Sequence, residues 1–141
     1  MPFLIGIEEP NSDKNIGTLW RSAYQLGADG IFTIRNEYIW QSTDTYKTWK
    51  QVPYFNYPDI TQFLIPKDFI LVGIEQNGEC LKSFSHPKRT VYLLGNENKG
   101  LSDFAKARCH KIVSIPSMRQ NSYNVSMAGT IVMYDRMIKH D

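Results

Sequence analysis

Five short apolar runs constrain this chain more than any other feature. They are Phe3-Leu-Ile-Gly-Ile7, Gly30-Ile-Phe-Thr-Ile34, Phe69-Ile-Leu-Val-Gly-Ile74, Val91-Tyr-Leu-Leu94 and Ile112-Val-Ser-Ile115. None shows the in-out alternation of a strand with one wet face. Nearly continuous apolar strands are buried on both faces, and such strands belong to parallel sheets covered by helices. The segments between them supply those helices, so the fold class is α/β with helices on both faces of a parallel sheet.

The helices follow from caps and spacing. Asn11, Ser12 and Asp13 offer N-caps for a helix running to about Leu26, and Gly27 is its C-terminal stop. Ile16, Leu19, Trp20 and Ala23 give it one apolar face. A short helix is expected near Asp59 to Leu64, closed by Pro66, and another from Leu101 to Ala107. The last helix is expected from about Tyr123 to Lys139, with Ser122 or Asn121 as its cap. Val125, Ala128 and Val132 form one apolar stripe on it, and Met127, Ile131, Tyr134 and Ile138 form a second. A helix apolar on two sides needs two partners; its own sheet is one, and a second subunit is the other, which predicts a homodimer, since deep burial within one chain is harder to satisfy in a domain this small. The aromatic-rich stretch from Asn36 to Tyr57 takes no clear assignment. In it Tyr38, Trp40, Tyr46, Lys47, Trp49 and Lys50 interleave rings and cations, as a base-stacking surface or plain packing would.

No repeat, linker or low-complexity tract divides the chain, so residues 1–141 read as a single domain. No apolar run reaches the length needed to cross a bilayer. Met1 to Glu8 reads as a first strand and not a signal peptide, since it lacks a basic n-region and a cleavage site. Cys80 and Cys109 have neither metal nor redox spacing, which suits reduced thiols in a cytoplasmic protein. His86, His110 and His140 are scattered, so no metal is expected. Net charge is only +2, but its distribution is uneven. Residues 1–70 hold six Lys/Arg against eight Asp/Glu, and residues 71–141 hold ten against six. Lys99, Lys106, Arg108, Lys111 and Arg119 face a single nearby acid, Asp103. Such a surface could neutralise backbone phosphates, or be an ordinary solvated face.

Ligands of open α/β sheets bind at the carboxyl ends of the strands. Three segments there carry unusual residues. The first is Asn15-Ile-Gly-Thr-Leu-Trp-Arg-Ser-Ala23, in which Arg21 lies off the apolar face. The second, Leu93-Leu-Gly-Asn-Glu-Asn-Lys-Gly-Leu-Ser102, has Gly95 and Gly100 for a turn or a close approach to ligand, and an acid, Glu97. It is neither a Walker A loop nor a GxGxxG loop. The third, Ile115-Pro-Ser-Met-Arg-Gln-Asn-Ser-Tyr-Asn-Val-Ser126, has more polar residues than capping explains. Taken singly, an exposed arginine, a turn and a cap account for each.

In this order and spacing the three segments resemble the motifs of SpoU/TrmH-type RNA ribose 2′-O-methyltransferases of the SPOUT superfamily. Those motifs are N-x-G-x-x-x-R-x-A, L-G-x-E-x-x-G-L and I-P-M-x-x-x-x-x-S-L-N-V-S. The chain departs from them at Ser117, where the family has Met, at Tyr123, where it has Leu, and at Asn98, where a small residue is usual. The resemblance implies a parallel α/β sheet whose C-terminal part is tied into a deep trefoil knot, with S-adenosylmethionine bent within it. It implies main-chain contacts to the adenine from Gly95, Ile115 and Tyr123, with Ile74 at an adjacent strand end.

It also implies an RNA partner, tRNA favoured over rRNA, and methyl transfer to a ribose hydroxyl. Arg21 takes the catalytic role, with Asn15, Glu97, Ser122 and Asn124 as its polar surroundings. A guanidinium stays protonated in proteins, so Arg21 suits stabilising a developing alkoxide or holding a phosphate better than accepting a proton. Base methylation by a related knotted enzyme, and a non-catalytic RNA- or cofactor-binding module, are the alternatives.

Overall fold

The computed structural model describes residues 1–36 and 51–140. The interleaved residues Tyr38, Trp40, Tyr46, Lys47, Trp49 and Lys50 lie outside the described residues. In chain order the elements are β1 (Phe3–Glu8), α1 (Asp13–Gln25), β2 (Gly30–Ile34), β3 (Tyr54–Tyr57), β4 (Ile70–Cys80), β5 (Thr90–Leu94), α2 (Asp103–Arg108), β6 (Lys111–Ser114) and α3 (Val125–Lys139). The strands form one sheet in the order β3-β2-β1-β5-β4-β6, and every pairing is parallel.

The apolar runs are central strands for the expected reason. Successive side chains on a strand point to opposite faces, and in β5 both faces are covered. Tyr92 and Leu94 join a core with Ile5, Ile7, Leu19, Trp20, Val132 and Met133, beneath α1 and α3. Val91 and Leu93 join a second core with Phe32, Phe63, Leu71, Leu101 and Ala105. Leu101 and Ala105 bring the α2 region onto that opposite face.

Helix α1 begins as the caps suggest. The Ser12 hydroxyl accepts a hydrogen bond from the Lys14 amide, and the helix stops at Leu26 before Gly27, whose φ is +88°. At this end of the chain the sequence reading holds to within a residue.

Elsewhere four expectations need correction. The aromatic stretch ends in a strand, β3, which sequence left unassigned. Only four residues long and at the sheet edge, it exposes Phe55 and Asn56, so the signature of a buried strand is missing. Strand β4 continues six residues beyond its apolar part. Its polar extension pairs Glu79 and Cys80 with β6 after a register shift. The helix expected at 59–64 is a single 3₁₀ turn, Ile60–Gln62, capped by the Asp59 carboxylate accepting from the Thr61 and Gln62 amides. Helix α3 starts at Val125, and its cap is Asn124 rather than Ser122 or Asn121. The Asn124 side-chain oxygen accepts from the Ser126 and Met127 amides at 3.0 and 3.2 Å.

The two stripes of α3 have different surroundings. Val125, Ala128, Val132 and Met133 are buried on the sheet and α1. Met127, Tyr134 and Ile138 are 48–54% exposed, and Tyr24 of α1 is 46% exposed. Ile131 of the second stripe is half-buried against the same core, so one face of the helix is satisfied within the chain and the other only in part.

Candidate active site

The sheet order changes direction around β4. From β4 the chain returns toward β1 to make β5, and from β5 it crosses back past β4 to make the edge strand β6. A reversal of this kind opens a crevice outside the carboxyl ends of the strands. Here it is a cavity of about 640 Å³ lined by residues 74–77, 94–100, 114, 115, 117, 119–123, 125 and 128. Ile74, Leu94, Val125 and Ala128 make an apolar floor; Gln76, Asn77, Ser117, Gln120, Asn121 and Ser122 supply a polar margin.

The loop after β5 forms one wall and is held from behind. Asn96 and Gly100 exchange backbone hydrogen bonds of 3.1 and 2.8 Å. The buried Asn96 side chain accepts from the Asn98 and Lys99 amides and donates to the Glu9 carbonyl and the Asn11 side-chain oxygen. Glycine at 95 is enforced by the loop itself: a Cβ there would stand 2.3 Å from the Gly100 carbonyl carbon and 2.4 Å from the Leu101 nitrogen. Gly100 has φ +72°, and its Cβ would meet a Glu75 carboxylate oxygen at 2.5 Å. The close approaches anticipated at these glycines are thus, on the geometry seen, to the loop's own backbone and to Glu75. Glu75 accepts from the Leu101 amide at 2.8 Å and the Gln76 amide at 3.0 Å. Buried Glu8 accepts from the amide and hydroxyl of Ser102, the N-cap of α2, at 2.8 and 2.6 Å.

One hydrogen-bonded chain joins all three motif segments at the rim. Glu97 accepts from the Asn11 amide at 2.8 Å and from the Asn15 side-chain amide at 2.9 Å. The Asn15 oxygen then accepts from the Asn124 side-chain amide at 3.1 Å. Asn124 itself caps α3, so the rim is tied to the start of the last helix.

Of the residues singled out from sequence, Ile74, Gly95, Ile115, Tyr123, Glu97 and Ser122 line the cavity. Asn15 and Asn124 reach its rim through Glu97. Arg21 does not line it. Arg21 is exposed and lies six residues beyond Asn15, about 9 Å further along the axis of α1. Sequence reasoning passed over Asn96, Glu75 and Glu8, and read Asn11 only as a candidate helix cap. An acid closing a continuous apolar strand, as Glu8 does, was a usable signal; Asn96 looked like any polar residue of a turn.

The nearby thiol is an unpromising nucleophile. Burial, with a smaller effect from the Glu8 charge, pushes Cys109 up to about 11. Among the described residues no group of three or more His, Cys, Asp or Glu is placed to hold a metal ion, and no helix is long and apolar enough to cross a membrane.

An all-parallel sheet with a strand-end cavity at a topological reversal, walled by loops and free of a phosphate-binding glycine loop, defines an α/β protein built around an organic ligand of moderate size. The chain belongs to the SpoU rRNA methylase family, whose pattern matches residues 2–134. A curated relative, the 23S rRNA (uridine(2479)-2′-O)-methyltransferase of Streptomyces viridochromogenes, is 28% identical over 142 residues, covering 91% of this chain and 50% of the relative. The chain thus spans about half the length of that relative. The crystal structure of the SpoU methyltransferase AviRb from Streptomyces viridochromogenes with its cofactor AdoMet superposes with a TM-score of 0.82 at 26% identity, covering 97% of this chain and 60% of that one. A structure described as giving insights into the 2-OH methylation of C/U34 on tRNA superposes with a TM-score of 0.86 at 21% identity, covering 99% and 97%.

S-adenosylmethionine is the cofactor of the family. The cavity fits it: its volume lies within the range of small-molecule sites, and an apolar floor under a polar margin suits a flat base carrying a sugar and an amino-acid tail.

Proposed function

We propose that this chain transfers a methyl group from S-adenosylmethionine to a ribose 2′-hydroxyl of structured RNA, tRNA first and rRNA second. The observation that carries the reading is the chain Glu97–Asn15–Asn124, which ties the three motif segments together at the rim of the cavity. The cofactor supplies an activated methyl group when bound. What remains for the protein is to hold it, align the sugar oxygen and ease loss of the hydroxyl proton. The main chain at Gly95, Ile115 and Tyr123, with Ile74 beneath, would hold the adenine. Glu97, Asn15 and Asn124 fix the rim on which the ribose rests, with Ser122 beside it. Arg21 stabilises the oxygen as it gains negative charge.

Arg21 does not line its own chain's cavity, and a homodimer would bring it to the cavity of a second copy. On α1, Arg21 and Tyr24 are three residues apart and share a side; both are exposed, as are Met127, Tyr134 and Ile138 of the neighbouring α3. A second copy packed on this face by a two-fold axis would bury the apolar residues and exchange arginines between the two cavities. The reading also includes a single domain over 1–141, a cytoplasmic location, and the C-terminal trefoil knot. In support of the knot, residues 115–124 run from the edge strand β6 past the loop after β5, and α3 then packs Gly129 near Leu94 and Ile5.

The test is a labelled-methyl assay on bulk tRNA and rRNA followed by alkaline hydrolysis, because a 2′-O-methyl blocks cleavage at its own 3′ phosphate. Labelled alkali-resistant dinucleotides are expected. Label confined to mononucleotides would mean base methylation, and cofactor binding without any transfer would leave a non-catalytic module. Arg21→Ala should lower turnover by at least about 100-fold while cofactor affinity holds. Normal turnover by that variant would remove Arg21 from the mechanism.

A further inference from the structure

The five cations between residues 99 and 119 do not form one basic surface; the fold sends them to different tasks. Arg108 donates to the carbonyls of Ile60 and Phe63 at 3.0 and 2.9 Å and lies 5.3 Å over the Phe63 ring. Lys106 pairs with Asp103 at 3.6 Å. Lys111, at the start of β6, sits 5.7 Å from the centre of the Phe84 ring. Lys99 and Arg119 alone among the five line the cavity, one from the loop after β5 and the other from the segment after β6, and both are exposed.

Neither of these two makes an ion pair among the described residues. The acids that share the lining turn their oxygens elsewhere: Glu75 to the Leu101 and Gln76 amides, Glu97 to Asn11 and Asn15. The backbones of both cations are also fixed. The Lys99 amide donates to the Asn96 side chain at 3.0 Å. Arg119 is held in a turn in which the Ser117 hydroxyl donates to its carbonyl at 2.7 Å and accepts from its amide at 3.3 Å. Two exposed cations on braced loops at the mouth of one cavity, neither ion-paired with the two acids that share its lining, are open to an anion that arrives from solvent.

We propose that Lys99 and Arg119 form a clamp for an RNA backbone phosphate next to the nucleotide whose ribose is methylated. This rests on the reading of the cavity as a ribose methyltransferase site. Phosphate contacts set the register of a nucleic acid on a protein without reading its sequence. A clamp at this mouth would therefore position the sugar over the cavity whatever base it carries. Arg119 can grip two phosphate oxygens through its planar fork, while Lys99 acts as a point charge. The carboxylate of the bound cofactor is the other anionic group within the cavity's reach, and the experiment separates the two.

Fluorescence anisotropy with labelled bulk tRNA and labelled rRNA, across a potassium chloride series, reads the clamp without requiring turnover. For the Lys99→Ala/Arg119→Ala double variant we expect RNA affinity to fall about tenfold or more and the log–log salt slope to flatten by about two. Arg119→Lys should recover part of the affinity and most of the slope. Lys88→Ala, which removes an exposed charge at the opposite end of the sheet, should change affinity less than about twofold. Calorimetry with S-adenosylmethionine should give an affinity for the double variant within about twofold of the parent. An unchanged salt slope, no RNA binding by the parent protein, or loss of cofactor affinity with RNA binding intact would each overturn the clamp. Should the parent bind RNA and methylate none of it, the methyltransferase reading fails while the salt slopes still judge Lys99 and Arg119.

Discussion

Where β1 and β5 begin, polar side chains find their partners within the fold; where those strands finish, similar groups stand half open around a cavity. At the first end Arg136 is 3% exposed and donates to the carbonyls of Met1, Pro87 and Lys88, to the Thr90 hydroxyl and to the Tyr92 hydroxyl. It also stacks 5.0 Å over the Phe3 ring. Lys139 donates to the carbonyls of Leu81, Lys82 and Phe84 and pairs with Asp135 at 2.8 Å. At the other end Gln120, Asn121 and Ser122 are exposed along the cavity. Helix α3 connects the two, capped by Asn124 at the cavity and pinned by Arg136 at the far side. A polar group that has its partners inside the fold fixes the chain, and one left facing a cavity is available to a ligand.

The largest effect expected from this contrast is at Arg136. Arg136→Met would take a donor from two buried hydroxyls and from three part-buried carbonyls, of which Pro87 keeps the Thr90 hydroxyl, and this should cost about 3–5 kcal/mol. Urea unfolding would measure it, and the melting temperature should fall by roughly ten degrees for a domain of this size. Below that melting temperature, cofactor affinity should hold. If it fell in the folded variant, the two ends would be one coupled network and the comparison would break.

Gly95→Ala should do the reverse, with a moderate cost and a strong effect on the cavity. The new Cβ meets backbone on the far side of the same loop, so the loop has to open for it. Overpacking of this kind costs about 1–3 kcal/mol. Because that loop is a wall of the cavity, affinity for S-adenosylmethionine should drop by at least about tenfold, a larger effect than the stability change suggests. Unaltered affinity would show that the loop's shape does not govern the site.

These two positions also show what the sequence makes legible. The central strands were readable because burial on both faces leaves one chemical signature, a continuous apolar run. β3 and the polar half of β4 share the sheet's hydrogen bonding but not its burial, so composition carries no trace of them. In the site, Gly95, Glu97, Ile115 and Tyr123 could be marked because three motifs occur in a recognisable order. The cap of α3 is ambiguous in the sequence because the run from Asn121 to Asn124 offers several good capping residues. What distinguishes Asn124 is a bond to Asn15, 109 residues away in sequence. Asn96 and Arg136 escaped notice for the same reason: their roles come from partners that only the folded chain brings near.

The smallest expected effect is a pH dependence confined to the far end. His86 lies between the Tyr92 hydroxyl, 2.6 Å from Nδ1, and the Asp135 carboxylate, 2.7 Å from Nε2. A neutral ring protonated at Nε2 suits all three groups: it donates to Asp135 and accepts from Tyr92, whose oxygen accepts from Arg136. Burial lowers the His86 pKa below the ordinary value of 6.5, and the partly compensating pull of Asp135 does not reverse this. The unfolded chain therefore takes up its proton at higher pH than the folded one. Stability from this group is complete above about pH 6.5 and is lost as the pH falls through the lowered folded value. Urea unfolding from about pH 8 to about pH 5 should show that loss in the parent protein and a flatter profile in His86→Gln. Cofactor affinity in the same range should be equal for the two proteins at a given pH, since His86 is at the wrong end of the strands to reach the cavity. A difference in cofactor affinity that follows the stability curve would mean that α3 transmits the state of one end to the other.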